Sequence, residues 1–275
     1  MTTWEEGIEF IRAGRANSDD AAGRRTIWRR GIPVIVMGSA GAGKTAIWRE
    51  LTGGAKPDAM STAVDQGYFA RRGSPRRRRR MTITTIPGQV SENRYLDLAR
   101  YFGPETMVRG VIFVASFGFD HIWPEESDFV AGQLETFSIE ELSDYVAERE
   151  YESFVETCRF IRQKCAITPD PESRPQWLLV LANKVDLYWD AIDQAGRYYA
   201  PGAGSAFDKI AGRLQSDLGR MQPFQYEVLP MTVGPKPYRF ESNLASLEIE
   251  PQLDPERAEA AIQLLARSLE RLNGI

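Results

Sequence analysis

The residues best equipped for chemistry fall in two short stretches far apart in the chain. Gly38, Ser39, Ala40, Gly41, Ala42, Gly43, Lys44 and Thr45 satisfy the pattern G-x-x-x-x-G-K-[ST] in full. Glycines at these spacings let the backbone wrap an anion so that successive N–H groups point at it, aided by the N-terminus of a following helix. Lys44 adds positive charge, Thr45 a hydroxyl for magnesium, and Ala46 extends the lining into the helix. Downstream, Asn183, Lys184, Val185 and Asp186 form N-K-x-D. A carboxylate there accepts both N–H donors on the edge of guanine, which adenine lacks, so Asp186 selects the base by pairing. Asn183 braces the loop and Lys184 lies over the ring. At average composition the first pattern arises by chance in about one chain of this size in a hundred and the second in roughly one in thirty. Found together in this order, they point to a nucleotide held at both ends.

Each stretch needs an element to hold it. Pro33–Met37 (PVIVM) is a short apolar run, as a strand buried on both faces requires, and it leads straight into the glycine loop. From Thr45 the residues favour a helix that stops at Gly53-Gly54. N-K-V-D follows a second apolar strand, Trp177–Ala182. Further strands are expected at 64–71 and 78–86 as a hairpin around Gly73-Ser74-Pro75, at 108–117 and at 226–231. Helices are expected at 4–13, 151–165, 207–221 and 255–272. Alternating strands and helices imply an α/β three-layer sandwich around a mostly parallel sheet. Residues 118–149, acid-rich with Pro124 and little apolar periodicity, read as an insertion, and 234–253 as a second irregular stretch. The chain therefore divides into a helical extension, 1–30, and one domain, 31–275, carrying the insertion.

Composition narrows the function classes. With 275 residues, 43% hydrophobic and 26% charged, the chain can bury a sizeable core. A net charge of -4 argues against general or specific DNA binding, although Arg76–Arg80 and Arg24, Arg25, Arg29 and Arg30 form local basic clusters. Those clusters suit a solvated face, an acidic partner, RNA or a peripheral anionic surface. The acidic start MTTWEEGIEF and the lack of a long apolar run predict no secretory signal or membrane span, and a cytoplasmic location. Cys158 and Cys165, two helical turns apart, are expected to be packed free thiols. With His121 as the single histidine, no zinc site is expected. His121 itself reads as a polar loop residue, and the acids of 125–150 as a solvated helix face or a partner surface.

The two motifs together resemble the P-loop GTPases, the small Ras-like branch in particular. That resemblance implies a P-loop NTPase sandwich whose six-stranded sheet has one antiparallel strand, GTP/GDP as ligand, Mg2+ as cofactor, slow GTP hydrolysis, and output through a regulatory or effector protein. It assigns Thr62, with Thr45, to the metal, Ser61, Thr82 and Thr84 being alternatives to Thr62, and places Thr232 and Val233 in the loop that meets the base. Thr85-Ile86-Pro87-Gly88-Gln89 stands where the family has Asp-x-x-Gly and its next residue. Gly88 would present its N–H to the third phosphate, Gln89 would orient the attacking water, and Lys44 would face the phosphates. Thr85 replaces the acid that holds magnesium through water. Thr-x-Pro-Gly-Gln is similar to the MglA-type bacterial GTPases, and the dominance of arginine over lysine suits a GC-rich bacterial genome. Arg71 and Arg72 lie where an arginine would be delivered to the phosphates. A second reading also follows from Thr85: a nucleotide-binding interaction module with little or no turnover.

Overall fold

The computed structural model describes residues 4–14, 32–53, 64–69, 81–88 and 92–274. The apolar runs become the middle of a sheet: β1 (Ile32–Met37), β4 (Gly110–Ala115) and β5 (Trp177–Ala182) lie side by side and parallel. Every residue of β4 and β5 is buried, because helices cover both faces and leave no side to water. With β2 (Asp65–Phe69), β3 (Met81–Thr85) and β6 (Gln225–Pro230) the order is β2-β3-β1-β4-β5-β6, and β2 alone runs antiparallel. The expected six-stranded P-loop sandwich is therefore the architecture found. The tip of the β2–β3 hairpin lies outside the described residues, as do the arginines of 24–30 and 71–80.

Helix α1 (Trp4–Ala13) buries Trp4, Gly7, Ile8 and Ile11 on one face and packs on α8 (Pro255–Leu272) and β6. Helix α2 (Lys44–Thr52) follows the glycine loop and ends at Gly53, whose N–H donates to Arg49 O at 2.8 Å. It lies against β2 and β3. Helix α3 (Glu92–Tyr101) precedes β4, α6 (Ile192–Tyr199) lies against β5, and α7 (Ala206–Gly219) lies against β6.

Two expectations change. The stretch 118–149 is not irregular: it holds α4 (Pro124–Ala131) and the start of α5 (Ile139–Ile167), a helix of 29 residues. Ser138 Oγ accepts from the N–H of Glu141 at 3.2 Å, and the Glu141 carboxylate reaches back to the N–H of Thr136 at 2.7 Å, so the entry is a well-made cap. The buried stripe of α5 runs Leu142, Val146, Glu150, Phe154, Cys158, Ile161 and Cys165. An acid, Glu150, occupies a core position in that stripe, which interrupts its apolar period. The stretch 234–253 also gains order, as a hairpin of β7 (Tyr238–Glu241) and β8 (Ser246–Ile249) apart from the main sheet. As expected, both cysteines are buried and free.

Candidate nucleotide site

The site is assembled where β1, β4 and β5 end on one edge of the sheet. Gly43 carries φ 98°, a left-handed value that a residue with Cβ rarely adopts, and so turns the chain from the loop into α2. It also lacks the room: a Cβ there would collide with Asn183 Nδ2. The Lys44 side chain is buried and folds back over the loop, donating to Gly38 O at 3.0 Å and Ser39 O at 2.5 Å. Burial pulls its pKa down to about 8, against the opposing charge of Asp120 and with a smaller downward push from Arg94. The ammonium is thus held by two carbonyls of the loop, short of the solvation it would have in water.

The second stretch is tied to the first by hydrogen bonds. Asn183 follows β5 and donates from Nδ2 to Ala42 O at 2.8 Å. Lys184, in the left-handed conformation at φ 60°, donates from Nζ to Gly41 O at 2.9 Å and to Phe119 O. Burial lowers its pKa to about 8, opposed by Asp120, Asp186 and Glu150. Asp186 is buried and accepts from Thr232 Oγ1 at 2.5 Å, and desolvation raises its pKa. Val185 N–H donates to Met231 O at 3.1 Å, which fixes N-K-V-D against the exit of β6, where Thr232 and Val233 lie. Asn183 Oδ1 is buried with no partner among the described residues, an acceptor left for a ligand or water.

The other sequence-derived residues fall as follows. Gly38, Ser39, Ala40, Gly41, Ala42, Gly43, Lys44, Thr45 and Ala46 form the loop and the first turn of α2. Gly88 rests on that loop, since a Cβ there would lie 2.6 Å from Lys44 Nζ and 2.5 Å from Ser39 C. Gln89 and Thr62 lie outside the described residues. Thr85 Oγ1, at the end of β3, is buried and has no hydrogen-bond partner among the described residues. Together with the half-buried Thr45 it supplies the hard oxygen donors that Mg2+ takes, so the residues present fit that ion. Among the described residues no cluster of His, Cys, Asp and Glu has the makings of another metal site.

One group was not legible as part of the site. Asp120 is buried and accepts from the hydroxyls of Ser39 and, at 2.6 Å, Ser116. Its neighbour His121 is indeed an exposed loop residue, but its N–H donates to Gly41 O at 3.0 Å, so the backbone of this segment covers the loop. Glu150, expected on a solvated face, is wholly buried: it accepts from Ser116 N–H at 2.5 Å and from the Tyr199 hydroxyl. Asp120 stands beside His121 in the chain, but nothing local links its acid to Ser39, 81 positions earlier.

No family model and no curated protein matches the chain. Among solved structures it is similar to the signal recognition particle receptor SRb-GTP/SRX complex from Chaetomium thermophilum, at 15% identity over 76% of this chain and 94% of that one, with a TM-score of 0.41. It is also similar to the mammalian SRP receptor, at 15% identity over 88% of this chain and 100% of that one, with a TM-score of 0.42. Neither is an MglA-type protein, so the finer likeness drawn from Thr85–Gln89 gains nothing from them, and the case for the site rests on its own geometry.

Proposed function

We propose that the protein is a Ras-like switch that binds GTP and GDP and hydrolyses GTP slowly with Mg2+. One observation carries this reading: Asn183 and Lys184 hydrogen-bond the carbonyls of Ala42 and Gly41, so the carboxylate of Asp186 is built into the same frame as the phosphate loop. A phosphate chain and its attached base are thereby read by one rigid unit.

In this reading the loop N–H groups and Lys44 bind the phosphates, and Asp186, steadied by Thr232, pairs with guanine. The backbone of Gly88, already beside Lys44, meets the third phosphate, and Gln89 orients water. Mg2+, held by Thr45, Thr62 and the hydroxyl of Thr85 through water, would supply charge against the phosphates. No described helix is long and apolar enough to cross a membrane, and output would pass through a protein partner. Calorimetry of the full chain with Mg2+ tests the ligand: GTP and GDP should bind at least ~100-fold more tightly than ATP. Equal affinity for ATP removes the guanine assignment.

Thr85 in place of an acid favours a second reading, a nucleotide-binding interaction module without useful turnover. Phosphate release by the wild type and Gln89→Leu separates the two. A rate that falls in the variant supports the hydrolase, and an unchanged trickle supports the module.

A further inference from the structure

Beneath the phosphate loop lies a polar chain that phosphate and base binding do not use. Ser39, in the loop, donates its hydroxyl to one oxygen of Asp120, and Ser116, at the exit of β4, donates to the other. Ser116 N–H then donates to Glu150 on α5, and the Tyr199 hydroxyl on α6 donates to the same carboxylate. Tyr199 in turn accepts from Phe117 N–H at 2.8 Å, which closes the chain onto the segment after β4. Ser39, Ser116, Asp120, Glu150 and Tyr199 are all buried. A low-dielectric site holding two carboxylates is costly unless it does something for the groups around it.

We propose that Asp120, backed by Glu150, is a positioning residue for the phosphate loop, tying Ser39 to β4 and α5 so that nucleotide retention depends on the charge carried by the acid pair. This rests on the reading of the loop as a nucleotide site. The geometry ties Ser39 to Asp120 through its hydroxyl. A negative charge in the pair offsets part of the positive charge of the buried Lys44 and Lys184 ammonium groups. Burial first, and then the charge of Asp120, push the Glu150 carboxyl up to about 8, so Glu150 is held neutral near neutral pH and gains its charge as pH rises through that value. A second charge sets anion against anion under the bound phosphates and loosens Ser39. The other groups facing the pair are Lys44 from α2, Lys184 and Tyr188 after β5, and Tyr198 and Tyr199 from α6.

The test uses the full chain loaded with a fluorescent GDP and Mg2+ and chased with excess GDP, with release rates followed from about pH 6 to about pH 9. Titration of the nucleotide is shared by all variants and cancels in ratios, whereas Lys184, and in Asp120→Asn also Lys44, loses an acid that raises its pKa, so lysine titration would lower the ratio as pH rises, opposite to the rise expected of the acid pair. Glu150→Gln keeps the shape and the neutral form. The wild-type rate divided by the variant rate should be level below about pH 7 and rise about fourfold by pH 9, the scale of one added charge acting across a partly screened site. Asp120→Asn leaves the pair at most one charge, so its release rate should lack the rise that the wild type shows. A purely structural role would offset the rates equally at every pH. Ratios that stay constant with pH, or a profile of Asp120→Asn superimposable on the wild type, overturn the inference, and the second comparison serves even if Glu150→Gln fails to fold. A wild-type chain that takes up no guanine nucleotide instead overturns the reading of the loop on which it rests.

Discussion

Replacing Gly43 by alanine tests the site frame directly, because two separate costs can be worked out for it. The residue sits at φ 98°, and an L side chain in the left-handed region costs about 1–2 kcal/mol. The new Cβ would also displace Asn183 Nδ2 from its 2.8 Å bond to Ala42 O, leaving buried polar groups unpaired at about 1–3 kcal/mol more. The sum, ~2–5 kcal/mol, falls on the conformation that holds loop and base-reading segment together. It should weaken GDP binding by at least ~30-fold in calorimetry. Gly53→Ala is the matched control: its φ is 68° and a Cβ there meets nothing within 4 Å. That variant carries the backbone strain without the collision, so it should lower the melting temperature by a few degrees and leave GDP affinity unchanged. If Gly43→Ala binds GDP within about threefold of wild type and melts like Gly53→Ala, the coupling of Asn183 to the loop is wrong.

Asp186→Asn replaces an acceptor of two hydrogen bonds with a group that can accept one of them, and should cost GDP affinity about 10- to 100-fold. Because the loss is at the base edge, the preference for GDP over IDP, which lacks the exocyclic amine, should largely vanish in competition assays. Glu150 holds its proton in the folded state up to about 8, whereas the unfolded chain releases it in the ordinary carboxyl range. Its contribution to stability is therefore complete at low pH and lost as pH rises through that window. Glu150→Gln should accordingly gain on wild type in unfolding free energy between about pH 5 and about pH 8, by on the order of a few kcal/mol, read as a rising difference in melting temperature. A constant difference would contradict the burial of an ionisable proton there. Burial raises the thiols of Cys158 and Cys165 to about 12 and about 11. Iodoacetamide near pH 8 should leave both unmodified in the native chain and label both in denaturant, as mass spectrometry would show.

Much of the frame is local and could be read before any coordinates. The strand Trp177–Ala182 and the helices Trp4–Ala13 and Pro255–Leu272 have the bounds expected from apolar period, glycine placement and capping residues. The strand ahead of the glycine loop is longer by one residue, Ile32. Helix α5 was half legible: the turns from Tyr151 show the helical period, and the stretch before them does not, because Glu150 interrupts the buried stripe among exposed acids. The hairpin Tyr238–Ile249 was missed for a different reason. Its two strands have four residues each, and the second alternates only between exposed and half-buried positions, so neither leaves a clear pattern of its own.

By itself the sequence determined the nature of the ends of the site: a glycine loop for an anion, and an asparagine, a lysine and an aspartate at the end of a buried strand. Those depend on spacing along the chain, which a sequence displays. The tertiary structure decided which carbonyls Asn183 and Lys184 hold, that Gly88 rests against Lys44, and that Asp120 and Glu150 lie beneath the loop. Whether an acid meets water or a hydroxyl 81 positions away depends on how β1, β4 and α5 pack, and no local run of residues contains that information.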